Sequence, residues 1–218
     1  KSDEINKPGK NIIEKLISAK TAKILFFSFS VIGIIIGFYL AWKIDHLIMG
    51  SVHVFSAVSL WMYSSYYKKR FLSGNILIAG LSSLSLLIVG LFEPEFYRNF
   101  IYLLLYAGFA FFVTLIREII KDMEDLDGDS QTECKTIPVK LGLQKTKIIL
   151  YTLIVLTTVL LIAILFQYFY DNKVINFWMM AIMFVVPFAA LISLVRSAEQ
   201  KKDYYYAGIF TKLIMVAG

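Results

Sequence analysis

The chain has one cysteine, Cys134, in 218 residues. That excludes an intramolecular disulfide and any metal site built from several thiolates. Histidine is nearly as scarce. His46 and His53 are the two present, both near the edge of an apolar run, and they read as structural rather than metal-binding residues. Charge is thin as well, at 17% Asp, Glu, Lys and Arg, where a soluble domain carries about 25%. What is abundant is apolar surface: 58% hydrophobic residues and a mean hydropathy of +0.70. These values mark an integral membrane protein. The formal net charge of +6 does not point to nucleic acid, because its Lys and Arg fall in short segments between apolar runs. A signal-peptide pattern is lacking and the first residue is Lys1, so the sequence reads as the middle and end of a longer protein.

A membrane-spanning helix needs about 20 mainly apolar residues. Seven stretches qualify, at 22–42, 47–67, 75–92, 97–117, 147–169, 174–195 and 204–218. The expected fold class is all-α, a polytopic transmembrane helix bundle. Pro187 falls inside the sixth stretch and is expected to kink it. The connections alternate in basic content. Lys-rich segments lie at 1–21, around Lys68, Lys69 and Arg70, at 118–146, and around Lys201 and Lys202. Poor ones lie around Lys43, Arg98 and Lys173. The positive-inside rule puts the rich segments in the cytoplasm. For each basic residue taken singly, topology and attraction to anionic headgroups compete with a role in a site.

One segment stands apart. Arg117-Glu-Ile-Ile-Lys-Asp-Met-Glu-Asp-Leu-Asp-Gly-Asp129 holds six acidic residues in twelve positions, directly after an apolar run. Carboxylates at a membrane boundary are costly unless something pairs with them. Mg²⁺ takes hard oxygen ligands, commonly one or two carboxylates plus phosphate oxygens of a substrate. A Mg²⁺–diphosphate site on the cytoplasmic face therefore competes with a solvated acidic loop. Asp125 and Asp129 are four apart and would share one helical face. Gly128 argues that the helix gives way to a loop there, and Asp127 is expected to face water. Lys212 lies well inside the last apolar run, where an ammonium usually faces a cavity or a carboxylate, so it is a candidate cavity residue.

The acidic segment, followed by Lys135-Thr-Ile-Pro-Val-Lys-Leu-Gly142, resembles the second aspartate-rich motif of the UbiA superfamily of intramembrane prenyltransferases. Ser2-Asp-Glu-Ile-Asn-Lys-Pro8 is similar to the tail of that family's first motif, with Asp3 as its last Asp. Tyr63-Ser-Ser-Tyr-Tyr-Lys68, running on to Gly74-Asn75, resembles the family's Tyr-Ser-x-x-x-Lys segment and the Gly-Asn that opens the next helix. The resemblance implies nine spans, of which this chain would carry seven. It also implies a single membrane-embedded prenyltransferase domain over 1–218, cut short at the N-terminus and at the last helix.

The resemblance implies Mg²⁺ as cofactor, held by Asp125 and Asp129, with Asp3 supporting an opposing ion. It implies diphosphate contacts from Lys68 and Lys135, then Lys121, Arg117 and Tyr63; for Tyr63 an interfacial anchor is an equal alternative. Asn75 joins Lys212 as a cavity candidate. Glu118 and Asp122, which extend the same helical face backwards, are catalytic candidates able to take a proton from a hydroxyl acceptor; they could also be metal ligands, or could orient Lys121 and Arg117. The implied partners are a prenyl diphosphate, a polar or aromatic acceptor and membrane lipid, with no nucleic acid. The implied setting is the cell inner membrane. The motif looks most like the branch of digeranylgeranylglyceryl phosphate synthases, with aromatic-ring prenyltransferases of quinone biosynthesis as the alternative. A divalent-cation or small-solute transporter is a third reading, disfavoured because the acids lie outside the spans.

Overall fold

A computed structural model of the chain describes residues 2–6, 16–91, 96–170 and 174–217. Among these residues the architecture is almost wholly helical: α1 Ser2–Asn6, α2 Ala19–Lys43, α3 Ser51–Ser65, α4 Ser73–Leu91, α5 Phe96–Glu124, α6 Leu126–Ser130, α7 Ile137–Tyr170, α8 Val174–Ser197 and α9 Lys201–Ala217. Each of the seven expected spans falls on a helix. Five stretches are long and apolar enough to cross a membrane: Ala19–Lys43, Leu47–Ser65, Ser73–Gly90, Phe100–Glu124 and Ile137–Ile162. The protein is an integral, multi-pass helical membrane protein. Its outer faces carry exposed Phe29, Ile35, Val89, Ile148 and Val159, as a surface facing lipid tails requires.

The residues form two compact units, Lys1–Lys68 and Lys69–Gly218. In the first, α2 and α3 make a helical hairpin. Ser18 starts α2 by accepting a hydrogen bond from the Thr21 amide, 3.1 Å, which satisfies an otherwise orphaned donor. The chain reverses through Asp45, whose φ is 58°. The two helices meet through glycines. A Cβ on Gly37 would lie 2.4 Å from the His53 ring, and one on Gly50 would lie 2.5 Å from Phe38. Small residues let membrane helices approach closely, and His53 has the structural place that the sequence suggested. Gly37→Val is therefore expected to destabilise the hairpin by about 1–3 kcal/mol through overpacking. Gly33→Val, one turn earlier with nothing within 4 Å of its would-be Cβ, should be near neutral. Proteolysis of the two variants in detergent, read as cleavage rate, checks the contrast.

In the second unit α5 is central and packs against α4, α7 and α9. Val113, Ile116, Ile119, Ile120 and Met123 form its buried stripe at helical spacing. They meet Leu150 and Ile154 of α7, Phe188, Leu191 and Val195 of α8, and Tyr204 and Ala207 of α9. Phe109, within the aromatic run 96–112, packs edge-on against Phe188 at 6.4 Å. Thr114 and Ser82 join α5 to α4 by a 3.0 Å side-chain hydrogen bond. Helix α8 runs through Pro187.

Two local features differ from the sequence expectation. Helix α5 continues seven residues beyond the expected end of its span at 117, because Ile119, Ile120 and Met123 keep one face buried while the acids take the other. Helix α7 starts ten residues before its expected span, but Gly142 interrupts it with φ 78° and ψ 163°. That combination is essentially open to glycine alone. The short helical turn Ile137–Leu141 is thus set off from the membrane helix proper.

The α8–α9 corner is held by polar bonds, buried where Lys147 and Tyr204 meet the Ala198 carbonyl. The Lys147 ammonium, from α7, donates to the carbonyls of Arg196 at 3.2 Å and Ala198 at 2.6 Å. Tyr204 donates its hydroxyl to the same Ala198 carbonyl at 3.1 Å. Asp203, in the first turn of α9, accepts from the backbone N–H of Gln200 at 2.8 Å and of Glu199 at 3.0 Å. Those bonds hold its carboxyl below the ordinary carboxylate range, since they favour the charged form.

Candidate functional site

The acidic segment is built by a break in helix α5. Its helix ends at Glu124, Asp125 departs from helical geometry with φ −92° and ψ 8°, and α6 carries Leu126–Ser130. The expected break at Gly128 is therefore misplaced: Gly128 and Asp129 are helical, and Asp125 is the break. The hydrogen-bond ladder still runs through it. The Asp125 amide donates to Lys121 at 2.9 Å, and the Asp129 amide donates to Asp125 at 3.1 Å. Asp125 and Asp129 thus sit one turn apart. Asp129 is buried, Asp125 is half-buried, and Asp127 points to solvent.

The loop after α6 wraps back onto it. Thr132 donates its hydroxyl to the Gly128 carbonyl at 2.7 Å, and the amides of Thr132 and Cys134 both donate to the Asp129 carbonyl at 3.3 Å. These bonds satisfy carbonyls that a helix end would otherwise leave open. Glu133 takes a left-handed φ of 56° to make the turn. The loop then delivers Lys135, which is exposed and whose amide donates to the Lys69 carbonyl at 2.8 Å. Lys140 lies 5.2 Å from the Phe71 ring centroid, a second tie to the same segment.

One turn before Asp125, Asp122 accepts a 2.8 Å hydrogen bond from the Asn75 amide. Asn75 is in the first turn of α4 and is 7% exposed. Asp122 also lies within electrostatic reach of Asp129, Glu118 and Lys121. Glu118 is buried and pairs with Arg117 at 2.5 Å and with Lys121 at 3.5 Å. Both cations thus converge on the Glu118 carboxylate.

The second unit therefore brings together Asn75, Arg117, Glu118, Lys121, Asp122, Asp125 and Asp129 on the adjoining ends of α4, α5 and α6. Lys135 follows on the loop that closes α6. Lys212 is exposed on α9. Tyr63, half-buried, and Lys68, exposed, belong to the first unit. Asp3 is in α1, and its side chain lies outside the described residues. Among the described residues no three His, Cys, Asp or Glu side chains converge to hold an ion. Two carboxylates one turn apart are nonetheless the hard-oxygen donor set that suits Mg²⁺, which usually completes its shell with water and substrate phosphates.

The profile of the UbiA prenyltransferase family matches residues 1–214. The chain belongs to the UbiA prenyltransferase family. The relatives of this family member include the digeranylgeranylglyceryl phosphate synthase of Saccharolobus solfataricus, 37% identical over 161 residues, an alignment covering 71% of this chain and 54% of that protein. They also include the synthase of the same name from Methanococcus maripaludis, 31% identical over the whole chain and 74% of that protein. The chain thus spans about half to three quarters of the length of these relatives. A solved structure described as giving insights into digeranylgeranylglyceryl phosphate synthase in membranes has the same fold, with a TM-score of 0.64 at 24% identity over 99% of this chain and 72% of that one. Membership in the UbiA family sets the transporter reading aside.

Two features of this UbiA-family chain were beyond the sequence. Lys147 stands at the first position of an expected span, where nothing in the sequence marks it as an internal cap for α8. The tie between Lys69 and Lys135 is made by backbone atoms, which leave no mark on residue type.

Proposed function

We propose that this protein transfers a polyprenyl group from a prenyl diphosphate to a hydroxyl acceptor within the membrane, a reading that its similarity to proteins named digeranylgeranylglyceryl phosphate synthase supports. The observation that carries the reading is the stacking of Asp125 and Asp129 one turn apart, beside the Arg117–Glu118–Lys121 cluster, at the membrane boundary. The family match over residues 1–214, across both units, supports reading the chain as part of a single prenyltransferase domain.

Asp125 and Asp129 are the residues that would hold Mg²⁺, and the family resemblance gives Asp3 the support of an opposing ion. When bound, Mg²⁺ takes up negative charge on the diphosphate and makes it a better leaving group. Lys135, Lys121 and Arg117 bind the phosphate oxygens through charge-assisted hydrogen bonds, and for Lys68 and Tyr63 the same role rests on the family resemblance of their segment alone. Glu118, by pairing with Arg117 and Lys121, keeps those two donors in place. Asp122 takes the proton of the acceptor hydroxyl as its oxygen attacks the first prenyl carbon. The bond from that carbon to the diphosphate breaks, and diphosphate departs with the electron pair. The bilayer shelters the cation-like carbon from water. The alternation of basic connections supports a cytoplasmic site in the cell inner membrane.

Incubating the full-length protein with geranylgeranyl diphosphate, geranylgeranylglyceryl phosphate and Mg²⁺ tests this. The expected product is the double ether, detected by mass spectrometry, lost with EDTA and restored by Mg²⁺. Transfer to an aromatic hydroxy acid alone would move the reading to the ring-prenylating branch. Transfer to neither acceptor would overturn it.

A further inference from the structure

The contact between Asn75 and Asp122 joins two helices through residues 47 apart in sequence. Its chemistry is asymmetric. The Asn75 amide donates to one oxygen of Asp122, Oδ2, at 2.8 Å, leaving Oδ1 for another partner. Asn75 itself is buried, and its backbone is held in the first turn of α4 beside the buried Gly74. A buried amide fixed at both ends is a rigid donor, and a carboxylate bound through one oxygen has its plane set.

The setting makes the pairing unusual. Asp122 already sits among the charges of Asp129 and Glu118. Those two acids repel it while Lys121 attracts it, so charge alone does not set its direction. The salt bridges of Arg117 and Lys121 run to Glu118, whereas the hydrogen bond to Asp122 comes from a neutral amide. A neutral donor fixes direction without cancelling the carboxylate's charge, and it leaves Oδ1 as the oxygen open to a proton. Packing of α4 on α5 needs no such bond at this point, because Thr114–Ser82 and the apolar stripe already join the two helices.

We infer that Asn75 is a positioning residue: its side-chain amide holds Asp122 by Oδ2 so that Oδ1 faces the acceptor hydroxyl. This rests on the prenyl-transfer reading above.

The test compares wild type, Asn75→Ala, Asp122→Ala and the double variant, each in the full-length protein with saturating Mg²⁺. For Asn75→Ala, kcat should fall about ten- to a hundredfold, as for loss of a group that orients a reacting residue. KM for the prenyl diphosphate should stay within about twofold of wild type, since an acceptor-side defect leaves donor binding intact. The double variant should be no slower than Asp122→Ala alone, because residues that act as a unit are non-additive. Unchanged kcat in Asn75→Ala would overturn the inference and mark the bond as helix packing. So would losses that multiply in the double variant. If Asn75→Ala does not fold, Asn75→Ser carries the test, with a hydroxyl too short to reach Oδ2 and the same kcat loss expected. A wild type that transfers no prenyl group fails the functional reading itself, whereas a wild type that transfers, alongside an unimpaired Asn75 variant, fails only this inference.

Discussion

Asp125→Ala and Asp129→Ala, each in the full-length protein, should lower prenyl transfer by at least a hundred- to a thousandfold, the order seen when one charge-stabilising group is removed from an active site. Membrane insertion and yield should hold. Asp129 is buried, but its carbonyl rather than its carboxylate receives the Thr132 and Cys134 amides that close the loop. Truncating the side chain therefore leaves that scaffold in place. The two variants should also need more Mg²⁺ for half-maximal activity wherever residual turnover can be measured. Asp127→Ala is the internal control: it removes the same charge from the same helix, but from its solvent side, and should stay near wild type. Equal activity in all three variants would remove Asp125 and Asp129 from the site. A loss in all three would mean that the total charge of the segment matters, not two ligands.

Lys147→Met should be the most destabilising change away from the site. The side chain keeps its length and loses its charge, so the apolar contacts stay and the two hydrogen bonds to Arg196 and Ala198 go. The Ala198 carbonyl retains Tyr204 as a donor. The Arg196 carbonyl, at the end of α8, loses the Lys147 ammonium. Charge-assisted bonds contribute about 1.5–3 kcal/mol each, net of desolvation. Relief from burying an ammonium offsets part of this, so the expected net loss is about 1.5–3 kcal/mol. In a chain of this size that lowers the unfolding midpoint by roughly 3–10 °C. Thermal unfolding in detergent, followed by circular dichroism, checks it. Tyr204→Phe should do less, since Lys147 still donates to Ala198. A larger effect for Tyr204→Phe would mean that the hydroxyl, not the ammonium, holds the corner.

How much of this could be read in advance depends on the kind of contact involved. The spans were legible because lipid demands long apolar runs, and each run lies on a helix. The end of α5 was not. Glu118, Asp122 and Glu124 look like loop by composition, yet Ile119, Ile120 and Met123 between them continue the buried face; the periodic signal was present and the acid count obscured it. Gly128 looked like the breaker, but a glycine costs a helix only about 1 kcal/mol, and the capping by Thr132 and Cys134 outweighs that. The spacing of Asp125 and Asp129 was legible because four residues make one turn in any helix. The partnership of Asn75 with Asp122, and of Lys147 with the end of α8, was not, since each joins positions 47 or more apart and no local pattern records which helix will lie alongside.

The bond from the Lys135 amide to the Lys69 carbonyl carries a consequence for how these two segments can vary. It uses main-chain atoms alone, so it is blind to which side chains stand at either position. Lysine can give way to glutamine, glutamate or alanine at 69 or 135 and the two segments stay laced at the same point. Proline at position 135, which has no amide hydrogen, is the substitution that would unlace them. Local charge is thereby uncoupled from local shape: the electrostatics at 69 and 135 can be rewritten while this tie between them keeps its form.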